Sequence, residues 1–169
     1  PEPVCIALGW RARGTIWQAY TRAALAGAGL AEMVEMVHTL RPGARVRVLA
    51  HSLGARVALS ALHGLPAGAI DRAALLAPAE LRSQAEAALD SPAGRRLEVL
   101  NVTSRENLVF DSLLGWSIGP HLRGDRPLGA GLGDDLDGRL ARWLDLRIDD
   151  PATRAGLGRL GVEVAPPDR

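Results

Sequence analysis

Val46-Arg47-Val48-Leu49-Ala50-His51-Ser52-Leu53-Gly54-Ala55-Arg56-Val57 is the stretch from which the fold is read. Residues 46–50 form a short, largely apolar run, and residues 53–63 place apolar side chains at helical spacing until Gly64 and Pro66 intervene. Only His51 and Ser52 lie between the two patterns. A strand that passes directly into a helix is half of a βα unit, and such units build parallel sheets covered by crossover helices.

The same alternation extends outward. Downstream, residues 73–77 are an apolar run ended by Pro78, residues 79–89 a helical pattern, and residues 97–102 a further strand. Residues 107–114 read as a short helix, 140–148 as a strand and 151–160 as a helix. Upstream, Ile16, Ala19, Ala23, Ala24, Leu30, Met33, Val34 and Val37 recur at three- and four-residue steps over residues 15–40. This predicts a helix with Gly27 and Gly29 as points of division and Pro42-Gly43 as its stop. Residues 4–9 read as the first strand. The expected fold is α/β: a three-layer α/β/α sandwich with a mostly parallel, doubly wound sheet, formed by residues 1–169 as one domain.

Composition fits this reading and removes several alternatives. The 169 residues are 47% hydrophobic and 23% charged, enough apolar surface for a core in one domain. A net charge of +1 offers no field that concentrates nucleic acid or an anionic membrane. Every basic residue is arginine, a mark of GC-rich coding DNA common in bacteria. The lone Cys5 makes no internal disulfide and has no partners at zinc-site spacing. The longest apolar runs fall short of the ~18–20 residues of a membrane-spanning helix. No signal peptide is visible, and the chain opens on Pro1 without Met, as a processed protein or an excerpt does.

Between residues 115 and 138 periodicity gives way to glycine, proline, aspartate and arginine, which marks a long irregular loop. Its Gly129-Ala130-Gly131-Leu132-Gly133 run lacks the preceding strand and the Lys-Ser/Thr of a phosphate loop. Asp134, Asp135 and Asp137 lack the later oxygen ligands of a calcium loop. No metal or organic cofactor is implied.

Chemistry concentrates at Ser52. A serine at a strand-to-helix turn is carried on a tight bend at the carboxyl edge of the sheet, provided its neighbours two before and two after are small; here these are Ala50 and Gly54. The N–H of Leu53, in the first turn of the helix, points where an oxyanion forms, and the helix dipole adds to it. The competing reading is an ordinary helix N-cap serine. His51 adjoins Ser52 in an extended segment, so its side chain points to the other side and does not serve as the base. His38 and His63 sit near helix ends, a structural setting.

These residues resemble the α/β-hydrolase superfamily, and more closely a bacterial branch whose turn reads Ala-His-Ser-Met/Leu-Gly. Trp10, Tyr20 and the helix running to Leu40 match that branch before the turn. Leu76-Ala77-Pro78 and Asn101-Val102-Thr103-Ser104 match it after, so the likeness covers about residues 4–148. It implies a serine hydrolase acting on a small-molecule carboxylic ester or related acyl bond, with nucleophile, acid and histidine in that chain order. The acid position falls on Asn107, whose amide lacks the charge that stabilises imidazolium; Glu106 is therefore preferred, and Asp111 lies a turn further on. No histidine follows the last expected strand. The base is either His121, within the irregular loop, or a residue beyond Arg169. The second oxyanion donor of the family precedes Pro1, so the chain is expected to be an internal portion of a longer hydrolase. The alternative is a degenerate hydrolase fold that binds a partner or ligand without turnover.

Overall fold

Helix α1 spans Ile16–Leu40 and starts at a capping box: the Thr15 hydroxyl accepts from the Gln18 N–H, and the Gln18 side chain accepts from the Thr15 N–H, both at 3.3 Å. The computed structural model describes residues 3–104, 125–128 and 142–163. Along the chain follow β1 (Arg47–His51), α2 (Leu53–Ala61) with a 3-10 turn at Leu62–Gly64, β2 (Arg72–Leu76) and α3 (Arg82–Leu89). A second 3-10 turn at Gly94–Arg96 leads to β3 (Glu98–Thr103), and β4 (Trp143–Arg147) precedes α4 (Pro151–Arg159). Asp150 caps α4 by accepting from the Thr153 N–H at 2.9 Å, a bond that favours the carboxylate and holds its pKa below the usual value.

The four strands are parallel and lie in chain order, β1-β2-β3-β4. Arg47 pairs with Arg72, Arg72 with Glu98, and Val99 with Trp143. Right-handed crossovers that step in one direction carry their helices to one face. On that face Ala50, Ala73, Leu75, Val99 and Trp143 share a single apolar core with Ala23, Leu30 and Val34 of α1, with Val57 and Leu59 of α2, and with Ala85 and Ala88 of α3. Leu75 and Ala85 are fully buried. On the opposite face Leu49 remains 72% and Leu144 55% exposed.

Helix α1 does not divide at its glycines. A Cβ on Gly27 would stand 2.6 Å from Ser60 Cβ and 2.9 Å from Ala61 N, so α1 and α2 pass backbone to backbone there. Gly29 faces open space.

Two expected elements differ. Residues 4–9 form no strand; Val4 is 78% and Ile6 54% exposed. An apolar run makes a strand only where a ladder partner accepts it, and this one pairs with no described strand. The helix expected from residue 79 begins at Arg82, because residues 79–81 are held out of it: Ala79 N–H donates to Ser52 O, Leu81 is extended and bridges Pro127, and Arg82 N–H donates to Arg126 O. The helix expected at 107–114 lies outside the described residues, as does the irregular loop apart from residues 125–128. Among the described residues, no helix is long and apolar enough to cross a membrane.

Candidate functional site

Ser52 occupies the single residue between β1 and α2, at the carboxyl edge of the sheet, with φ 54 and ψ −124. Among described non-glycine residues only Ser52 and Ala77 have positive φ. Three main-chain bonds fix the turn. Ser52 N–H donates to Leu76 O at 2.9 Å, and Ser52 O accepts from Ala55 N–H at 3.0 Å and Ala79 N–H at 3.1 Å. The chain therefore reverses from strand to helix while pinned to the end of the neighbouring strand. The Ser52 side chain makes no capping bond to α2, unlike Thr15 at the start of α1.

The flanking small residues face each other. A Cβ on Gly54 would lie 3.8 Å from Ala50 Cβ, an ordinary contact, so a methyl group at position 50 fills the space next to Gly54 without strain. Leu53 is the first residue of α2, where an N–H has no intrahelical acceptor. His51 is exposed and falls in register with Leu76, beside it on the open face of the sheet.

Of the residues expected to act with Ser52 and Leu53, Glu106, Asn107, Asp111 and His121 lie outside the described residues. His38 ties α1 to the loop before β2, its Nε2–H donating to Ala69 O at 2.8 Å. His63 is exposed on the 3-10 turn. Asn101, quoted above as part of the Asn-Val-x-Ser likeness, is fully buried and stitches strands together. Its amide donates to Asp145 Oδ1 at 2.8 Å and to Leu128 O at 3.3 Å, and the Trp143 indole N–H donates to the same Asp145 oxygen at 2.8 Å.

Beside the turn stands a cluster that the sequence reading did not anticipate. Glu80 is 1% exposed. Its Oε1 accepts from Tyr20 Oη at 2.5 Å and from Leu81 N–H at 2.8 Å, and its Oε2 accepts from Arg56 Nη1 at 2.7 Å. Arg56 also donates through Nε to Tyr20 O at 2.8 Å and lies 3.6 Å above the Tyr20 ring centroid. Burial, reinforced by the Glu80 carboxylate, pushes the Tyr20 phenol well above its ordinary pKa and keeps it a donor. The usable sequence signal was faint: an acid closely following an Ala-Pro step, and an arginine one turn along the helix from Ser52.

A second fastening joins residues 125–128 to the start of α3. Asp125 accepts from the Ser83 N–H at 3.2 Å and from the Ser83 hydroxyl at 2.6 Å, and Leu128 N–H donates to Glu80 O at 2.8 Å. Among the described residues no group of His, Cys, Asp and Glu is placed to hold a metal ion.

The chain matches no family model, no curated protein and no solved structure.

Proposed function

We propose that this chain carries the nucleophile of a serine hydrolase for carboxylic esters or related acyl bonds, on a doubly wound, three-layer scaffold of α/β-hydrolase type. The observation that carries the reading is the positive-φ backbone of Ser52 at the carboxyl end of a parallel strand, with a side chain that caps nothing in α2. A serine with a merely capping role sits in the β region and its side-chain oxygen accepts from a backbone N–H of the helix, as that of Thr15 does. Ser52 does neither.

In the proposed reaction Ser52 Oγ attacks the acyl carbonyl while its proton passes to a histidine. The Leu53 N–H holds the developing oxyanion. The histidine then protonates the leaving alcohol, and water, deprotonated by the same histidine, releases the acid and restores Ser52. Glu106 is the proposed orienting acid and His121, or a histidine beyond Arg169, the proposed base.

A fluorophosphonate probe tests the reading, since it bonds only to an activated hydroxyl. The expected result is one probe adduct on Ser52 by peptide mass spectrometry, lost in Ser52→Ala, whose melting midpoint stays near that of the parent. An unlabelled parent protein overturns the enzyme reading in favour of a binding module. In a labelled protein, His121→Ala tests the base: loss of labelling selects His121, and retention rules it out.

A further inference from the structure

We propose that Glu80 is the positioning residue of this site, locking the Ser52 turn in its positive-φ form from a buried place between α1, α2 and the segment after β2. The proposal rests on the hydrolase reading for its chemical consequence, and on geometry alone for its structural one.

The cluster brackets Ser52 from both sides. On the helix side, Arg56 stands one turn beyond Ser52 and is held by Glu80 Oε2 and by Tyr20 O. On the strand side, Glu80 directly follows Ala79, whose N–H donates to Ser52 O. Glu80 Oε1 accepts from its neighbour Leu81 and from Tyr20. One carboxylate thus joins the helix that begins at Ser52 to the segment that bonds Ser52 from across the sheet edge.

Two physical points favour positioning over simple stabilisation. A buried ion pair contributes little net stability compared with apolar packing of the same volume, because both charges lose their hydration. What such a network supplies when every acceptor is used is a single geometry. Glu80 uses both carboxylate oxygens, and its partly buried partner Arg56 has donors directed at two acceptors. Further, a serine at positive φ persists only where its surroundings over-determine it, and Ser52 lies between the two segments that Glu80 joins.

The test compares the parent chain with Glu80→Gln, Tyr20→Phe and the exposed control Glu35→Gln. One readout is the rate of fluorophosphonate labelling at Ser52, measured well below each melting midpoint so that every molecule is folded. The other is amide hydrogen exchange at Ser52 and Ala79, referred to Leu75. For Glu80→Gln labelling is expected to slow at least tenfold, and exchange at Ser52 and Ala79 to quicken at least tenfold while Leu75 is unchanged. Tyr20→Phe, which keeps the ring over Arg56, is expected to shift both about threefold and carries the test if Glu80→Gln does not fold. The control is expected to match the parent. A labelling rate per folded molecule equal to the parent's, with unchanged exchange at Ser52, overturns the proposal. If the parent itself is not labelled, the hydrolase reading fails, and the exchange measurement still decides whether Glu80 locks the turn.

Discussion

Ser52 holds a backbone conformation that glycine adopts freely and that strains any residue with a Cβ. Replacement by glycine should therefore relieve strain that replacement by alanine retains. Ser52→Gly is expected to be more stable than Ser52→Ala by about 1 kcal/mol in urea denaturation, the strain relief being partly offset by the greater freedom of glycine in the unfolded chain. Equal midpoints for the two variants refute the strain. The special status of Ser52 was legible in the sequence because its markers are local: an apolar run before it, small residues two away on each side, a helix after. Glu80 was not legible, because its partners Tyr20 and Arg56 lie 60 and 24 residues away and no short pattern joins them. A buried carboxylate is found only when the chain has been folded around it.

At the scale of elements, the strands after residue 46 were read to within a few residues, since runs buried by crossover helices are short, apolar and bounded by proline, glycine or a turn. Helix α1 shows what periodicity misses. Gly27 and Gly29 look alike as interruptions, yet one is a crossing point and the other faces solvent. Gly27→Ala forces a methyl group into Ser60 and Ala61 and is expected to destabilise the protein by about 1–3 kcal/mol. Gly29→Ala meets nothing and is expected to stabilise it by about 1 kcal/mol through helix propensity. Thermal melts of the two variants should move in opposite directions, and a shift in the same direction contradicts the crossing. The run at residues 4–9 failed as a strand because its composition states a preference for burial but names no partner. Residues 79–81 failed as helix because bonds to Ser52 and to residues 125–128 outweigh local propensity there.

For the whole molecule, the alternation of elements was enough to give a parallel sheet with flanking helices, and not enough to say how the faces are shared. The described helices α1, α2 and α3 join one core on one face, while Leu49 and Leu144 look outward on the other above a charged row in which Arg72 pairs with Glu98. Face assignment depends on the direction in which successive crossovers step, which periodicity does not record.

The chain-ordered sheet also sets an order of assembly. Pairing Arg47 with Arg72, or Arg72 with Glu98, closes a modest loop, whereas pairing Val99 with Trp143 closes one nearly twice as long. Each doubling of loop length adds about 0.6 kcal/mol of closure entropy, so β4 starts at a disadvantage that β2 and β3 do not share. The bonds of residues 125–128 to Glu80, Arg82 and Ser83 divide that long excursion and return the chain to the sheet before β4 is reached. Folding is therefore expected to proceed as a zipper from β1 to β3, with β4 the last strand to close and the first to open. In native-state hydrogen exchange the amides of β4 should open at lower free energy than those of β2, and Asp125→Ala should widen the difference; protection of β4 equal to that of β2 contradicts this order.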